Sequence, residues 1–204
     1  MILAIAWLAL FVVALPLDRS VAVAVHNAGI DARLRGSMLA EIVKTPGTFY
    51  FAIAIAILGL LTRQVRRGEG VFVLLASAMS GINGLIKWLV GRTRPFKLTG
   101  PDQPQPFHFE PLWHGVNGLF HQKDLCFPSG HACTAFALAT AVALIRPRWS
   151  PVFFAIALLV AAERVLENAH YLSDTVAAAG VGAGGTLFVW WLMCRFLKPP
   201  LLLS

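Results

Sequence analysis

Six apolar runs divide the chain, at about Met1 to Leu17, Thr48 to Thr62, Val71 to Val90, His131 to Ile145, Pro151 to Ala169 and Asp174 to Cys194. A bilayer core asks for roughly 20 helical residues, so the shorter runs must borrow flanking residues or sit in thin membrane. The pattern predicts an all-α fold: an integral-membrane bundle of six transmembrane helices, with an outer loop between spans three and four. Residues 1–204 read as a single membrane domain, with no internal repeat and no low-complexity segment. The first run has the length of a signal-peptide core, but it lacks a basic start, and Leu15-Pro16-Leu17 is a poor small-residue cleavage site; it reads as a retained span.

Between the runs, two stretches differ in kind. Asp18 to Pro46 mixes apolar and charged residues, which fits either a short helix at the membrane interface or a polar connector. Phe96 to Phe127 carries prolines at 101, 104, 106 and 111, which forbid a continuous helix. Its Phe107, Phe109, Leu112, Trp113 and Phe120 fit either dipping into the headgroup layer or packing against the bundle. In the last run, Gly180 and Gly184, with Gly182 and Gly185 beside them, predict a small-residue face for close helix packing.

Composition agrees with the pattern: 57% of residues are hydrophobic and 13% charged, too little polar surface for a soluble domain of this length. The net charge of +7 does not point to nucleic acid, because the basic residues are scattered at the ends of apolar runs rather than gathered on a polar domain. They bear on orientation instead. Arg63, Arg66 and Arg67 follow the second run, Arg146 and Arg148 the fourth, and Arg195 and Lys198 the sixth, all on one side of a six-span protein. The positive-inside rule makes that side cytoplasmic, against the contrary Arg19, Arg33, Arg35 and Lys44. Three cysteines give no disulfide framework; Cys133 and Cys194 fit packing roles, and Cys126 lies close enough in sequence to Cys133 for a pairing to be considered.

Three short stretches then carry chemistry. Lys87 and Arg94 are seven residues apart, two helical turns, so a helix would aim both at one place, with Pro95 opening the turn at Arg94. Two such cations suit a phosphate, although basic residues at span ends also snorkel to headgroups. Pro128-Ser129-Gly130-His131 opens the fourth run, with Ser129 as an N-cap, Gly130 allowing close backbone approach and His131 at the edge of an anion-binding helix start. Arg164 and His170 are six apart, which on one straight helix turns them about 120° from each other. A break is therefore expected, at Asn168 and Ala169. Asp174, one turn beyond His170, can accept a hydrogen bond from one ring nitrogen and leave the other as a nucleophile. A zinc site from His108, His114 and His121 with Asp102 and Glu110 fits no familiar ligand spacing, so no metal and no cofactor are expected.

In order, the stretches KWLVGRTRP, PSGH and ERVLENAHYLSD resemble the three motifs of the type 2 phosphatidic acid phosphatase superfamily, KxxxxxxRP, PSGH and SRxxxxxHxxxD. The match runs from Lys87 to Asp174. The resemblance implies a metal-independent membrane lipid phosphatase working through a phosphohistidine. His170 attacks phosphorus, Asp174 orients it and His131 protonates the leaving oxygen, while Lys87, Arg94, Ser129, Gly130 and Arg164 hold the phosphate. It further implies a lipid phosphate or diphosphate substrate, such as undecaprenyl diphosphate, phosphatidylglycerol phosphate, phosphatidic acid or phosphorylated lipid A. The setting it implies is a bacterial inner membrane with the site facing the periplasm or exterior. A lipid phosphotransferase would use the same residues; a transporter would instead place charges near mid-span. One position departs from the pattern: Glu163 stands where the family has serine, so that serine's phosphate contact is not carried over, and Glu163 either turns aside to a basic neighbour or tunes substrate choice.

Overall fold

The computed structural model describes residues 2–97, 109–112, 115–118 and 122–196. The chain runs α1 (Ile2–Asn27), α2 (Ile30–Leu34), α3 (Met38–Lys44), a 3-10 turn at Thr45–Gly47, α4 (Phe49–Leu61), α5 (Arg67–Ala78), a second 3-10 turn at Met79–Gly81, and α6 (Ile82–Val90). It continues with the short α7 (Gly115–Gly118), then α8 (Gly130–Ile145), α9 (Ser150–Leu166) and α10 (Leu172–Phe196). All six apolar runs are helical, but among the described residues four stretches are long and apolar enough to cross a membrane: Leu3–Asn27, Arg67–Val90, Pro147–Leu166 and Leu172–Phe196. A fifth forms if Met38–Gly47 and Phe49–Leu61, bent by 64° at their junction, count as one broken span, and Gly130–Ile145 is shorter.

The short helix sits at the centre. Ala132 to Val142 of α8 are buried without interruption, so this helix is covered on every side by neighbours rather than by lipid. Its 16 residues rise roughly 24 Å. Alanine, threonine and cysteine dominate it, and their small side chains let α5, α9 and α10 come close. A Cβ on Gly182 of α10 would stand 2.3 Å from the Cys133 carbonyl oxygen, and one on Gly180 would stand 2.2 Å from the Trp7 ring of α1. Close packing thus falls on Gly180 and Gly182; Gly184, which the sequence pairs with Gly180, faces open space. Cys126 and Cys133 are buried free thiols, with no bond between them.

Two expected boundaries move. The first run does not stop at Leu17: α1 continues through Asp18 and Arg19 to Asn27, taking in the start of the predicted connector. Asp18 is wholly buried, and the helix tolerates it because Arg92 meets its carboxylate at 2.7 Å. The rest of that connector forms α2 and α3, with Ser37 capping α3 through its side chain. The third run is likewise interrupted by the turn at Met79–Gly81. Of the predicted outer loop, Pro101, Pro104, Pro106, Phe107, Trp113 and Phe120 lie outside the described residues, as do Asp102, His108, His114 and His121.

Candidate active site

Lys87 and Arg94 do not meet by sharing a helical face. The helix ends at Val90, and Gly91 takes a left-handed turn with φ 63°. A Cβ there would stand 1.7 Å from the Glu110 carbonyl oxygen, so only glycine fits both the conformation and the space. Arg92 and Thr93 then form isolated bridges to Phe109 and Leu125, and the Arg94 amide donates to the Asp124 carbonyl at 3.1 Å. These pairings return Arg94 toward Lys87, whose ammonium donates to the Leu125 carbonyl at 3.0 Å.

The other two stretches fold closer to expectation. Ser129 is the N-cap residue of α8, though its side chain makes no capping bond and its buried Oγ has no partner among the described residues. The break between α9 and α10 falls where the spacing demanded it: Asn168 has φ 57°, and the His170 amide donates to the Arg164 carbonyl. That reversal carries Arg164 and His170 onto the same cavity.

The cavity has a volume of about 300 Å³. Lys87, Arg94, Gly130, His131, Arg164 and His170 line it, joined by Gly47, Ser80, Gly81 and Thr134 from the two 3-10 turns and α8. Ser129 and Asp174 lie outside that lining, both wholly buried. Two larger cavities, of about 550 and 420 Å³, are lined almost entirely by apolar side chains and hold none of the predicted site residues. Size therefore does not single out the candidate site; convergent charge does.

Within the polar cavity, Arg94 donates weakly to the Ala169 carbonyl at 3.4 Å, and its buried Nε has no partner among the described residues. Arg164 is more fully engaged. Glu163, the residue that departs from the motif, takes its Nε and Nη2 at 2.5 Å each, and Glu167 takes Nη2 from one turn further along. Glu163 therefore turns to its neighbouring cation.

The expected bond between His170 and Asp174 is not formed. His170 Nδ1 stands 3.7 Å from Asp174 Oδ2, beyond hydrogen-bond length, and has no partner among the described residues. Asp174 is occupied elsewhere: Oδ1 accepts from Arg92 at 2.6 Å and Oδ2 from the Tyr171 amide at 2.8 Å. Burial, with the cations of Lys87 and Arg94 nearby, pushes His170 down to about 3 against the pull of Asp174. Burial thus favours the neutral ring, the form in which an imidazole nitrogen has a free lone pair.

Arg92 and Asp18 are specified by none of the three motifs. Arg92 is 1% exposed, bonds Asp18, Ser173 and Asp174, and lies 4.1 Å over the Tyr171 ring. One available signal was a second arginine two residues before Arg94, directly after the turn glycine. Asp18 offered the other: a lone acid at the edge of an apolar run.

A protein-family model described as the PAP2 superfamily matches residues 69–198. The lipid A 1-phosphatase of Rhizobium johnstonii is 32% identical over 127 residues, 62% of this chain and 48% of that protein. That of Rhizobium etli is 32% identical over 114 residues, 55% and 45% of the two chains. The bacitracin transport permease protein BcrC of Bacillus licheniformis is 32% identical over 88 residues, 43% of this chain and 42% of that one. The chain thus spans about half the length of the curated relatives it matches. Its fold also resembles that of the transmembrane PAP2-type phosphatidylglycerolphosphate phosphatase from Bacillus subtilis, with a TM-score of 0.54, 17% identity and coverage of 94% and 98%. The family match extends over more than half of the sequence and embraces every residue of the polar cavity from Ser80 onward, so this integral membrane protein belongs to the PAP2 superfamily.

Proposed function

We propose that the chain is a membrane lipid phosphatase that removes a terminal phosphate from a lipid phosphate or diphosphate. The observation that carries this reading is the convergence of three cations and two histidines on one polar cavity. A phosphate monoester brings about −1.5 to −2 charges, which Lys87, Arg94 and Arg164 would neutralise, with the amide groups at the start of α8 adding donors. His170 would attack phosphorus through Nε2, and the P–O bond to the lipid would break as His131 delivers a proton to the departing oxygen. Water, giving a proton back to His131, then attacks the phosphohistidine, breaking the P–N bond, releasing inorganic phosphate and restoring both histidines. Asp174 would orient His170, its 3.7 Å separation closing once substrate is bound, since catalytic hydrogen bonds are often long in free enzymes. No step calls for a metal.

The two lipid A 1-phosphatase relatives favour a phosphorylated lipid A among the substrates, with undecaprenyl diphosphate, phosphatidylglycerol phosphate and phosphatidic acid as the other members of the class. The reading carries six spans, in which α3 and α4 make one broken span and α8 crosses as a short enclosed helix. Both termini then lie in the cytoplasm and the cavity opens to the periplasm or exterior. A phosphate-release panel over these lipids, with purified protein in detergent, tests the reading. Release that is unaffected by EDTA and inhibited by vanadate is expected; no release from any lipid phosphate, or release only with added zinc or magnesium, overturns it. A phosphotransferase would use the same cavity, and product analysis with an acceptor lipid separates the two.

A further inference from the structure

Behind His170 lies a buried ionic chain of which the proposed reaction uses only Asp174. Asp18 Oδ2 accepts from Arg92 at 2.7 Å, and Arg92 Nη1 reaches Asp174 Oδ1 at 2.6 Å. Ser173 joins them: its amide donates to Asp18 Oδ1 at 2.8 Å, its hydroxyl to Asp18 Oδ2 at 2.5 Å, and Arg92 Nη1 meets its Oγ at 2.8 Å. Side chains of Asp18 and Asp174 are fully buried and Arg92 is 1% exposed, so water does not dilute these charges. Burying three ions is costly unless each is paired and oriented. Such a chain beside a candidate nucleophile therefore calls for a role.

Its charges indicate one. If Arg92 faced Asp174 alone, guanidinium and carboxylate would cancel, and His170 would sit beside a neutral pair. Asp18 adds a second carboxylate to the same guanidinium. The three groups then sum to one negative charge, and Asp174 keeps that charge toward the imidazole at Oδ2, whose bonded partner there is the neutral Tyr171 amide at 2.8 Å. Geometry agrees, because Arg92 is held at Oδ1 while Oδ2, the oxygen 3.7 Å from His170 Nδ1, is left by it. A planar fork can bridge two carboxylates in this way; an ammonium, as a point charge, cannot fix both.

We propose that Asp18, on the first helix, is a positioning residue for His170 that acts through Arg92: it draws the guanidinium away from Asp174 Oδ2 and keeps that carboxylate available to orient and activate the imidazole. This rests on His170 being the nucleophile of the proposed reaction. It makes α1, whose residues precede the matched family region at 69–198, part of the reactive site. The same helix grips the His170 turn again, where the Asn168 side chain donates to the Ala22 carbonyl at 3.1 Å.

The test reads imidazole reactivity without any lipid. Purified full-length protein in detergent is treated with diethyl pyrocarbonate, and acylation rates at His170 and His131 are followed by mass spectrometry in the wild type, Asp18→Asn, Arg92→Gln and the double variant. His131 lines the same cavity and reports general loss of structure. Asp18→Asn is expected to slow His170 by about 10-fold or more, as removal of one buried charge several Å away does at an effective dielectric of about 20. His131 should stay within about twofold, and Asp18→Asn should cost nothing further in the Arg92→Gln background, since coupled residues fail additivity. Equal losses at both histidines, no loss at His170, or losses that add in the double variant overturn the proposal. If Asp18→Asn does not purify as a monodisperse protein, Ser173→Ala loosens Asp18 while keeping both carboxylates. The same selective slowing at His170 is expected, and unchanged rates overturn the proposal. Phosphate release by the wild type is measured separately. Its absence counts against the lipid phosphatase reading, while His170 reactivity still decides the role of Asp18.

Discussion

At the scale of single residues, the two histidines should fail in different ways, because a nucleophile and a leaving-group acid serve different bonds. His170→Ala is expected to abolish the acid-quenched, radiolabelled phosphoenzyme altogether. His131→Ala should cripple turnover of lipid phosphates, whose alkoxide leaves poorly, yet do less harm with an activated aryl phosphate that scarcely needs a proton. Asp174→Asn should fall between them on lipid substrates, the ring remaining but losing its orienting charge. Label retained on His170→Ala would remove His170 from the role. Glu163 makes a second residue-scale case. With Glu167 it offsets the Arg164 charge that faces the cavity, so Glu163→Gln should leave the site more positive. Vanadate inhibition should then tighten several-fold, on the order of 1 kcal/mol for one charge acting across a partly solvated site. Unchanged or weaker inhibition would mean that Glu163 only fixes the guanidinium in place. That Lys87, Arg94, Gly130, His131, Arg164 and His170 belong together was legible in the sequence, since their spacing is their signature, and they line one cavity. Arg92 and Asp18 were not legible, because their meaning lies in each other, 74 positions apart.

At the scale of elements, apolar runs announced the helices, whereas their ends depended on partners the sequence does not display. Asp18 reads as the end of a span until Arg92 neutralises it inside one. The 3-10 turn at Met79–Gly81 falls inside a continuous apolar run, so hydropathy gives no sign of it. Lys87 and Arg94 are the instructive pair: a helical face would have brought them together, but Gly91 ends the helix and a pair of bridges does so instead. That mechanism makes a prediction of its own. Gly91→Ala adds a side chain where φ is 63° and where its Cβ would meet the Glu110 carbonyl. The left-handed conformation alone costs about 1–2 kcal/mol, and the backbone contact must be relieved as well. A lower thermal midpoint and a raised KM for lipid phosphate are expected together, since the strained turn is what delivers Arg94. A full loss of stability with an unchanged KM in the remaining folded protein would separate the turn from the site.

At the scale of the whole molecule, the open matter is which face of the membrane the cavity serves, and charge and geometry bear on it jointly. Arg63, Arg66 and Arg148 lie at the end of the bundle where α4 gives way to α5 and α8 to α9, and there Arg146 of the latter link binds Glu69 of α5. Lys87, Arg94, Gly130 and Arg164 belong to the opposite helix ends, so the basic end and the reactive end face different sides. If the basic end is cytoplasmic, a substrate must come from the outer leaflet. Cys194 is the exposed native thiol, while Cys126 and Cys133 are buried, so Cys194→Ser provides a background for labelling intact cells. Cysteines introduced at the exposed Lys97 and Leu112 should react with an impermeant maleimide before the cells are broken, and cysteines at the exposed Arg63 and Arg148 only afterwards. The reverse pattern would turn the molecule over and assign it an inner-leaflet substrate. Labelling of all four in intact cells would show that the reagent had crossed the membrane, and a larger maleimide that cannot cross would then be needed to read the sides. With the expected pattern, substrate access from outside is set by the fold itself: the same helix ends that gather the cations also place them beyond the reach of cytoplasmic phosphate esters.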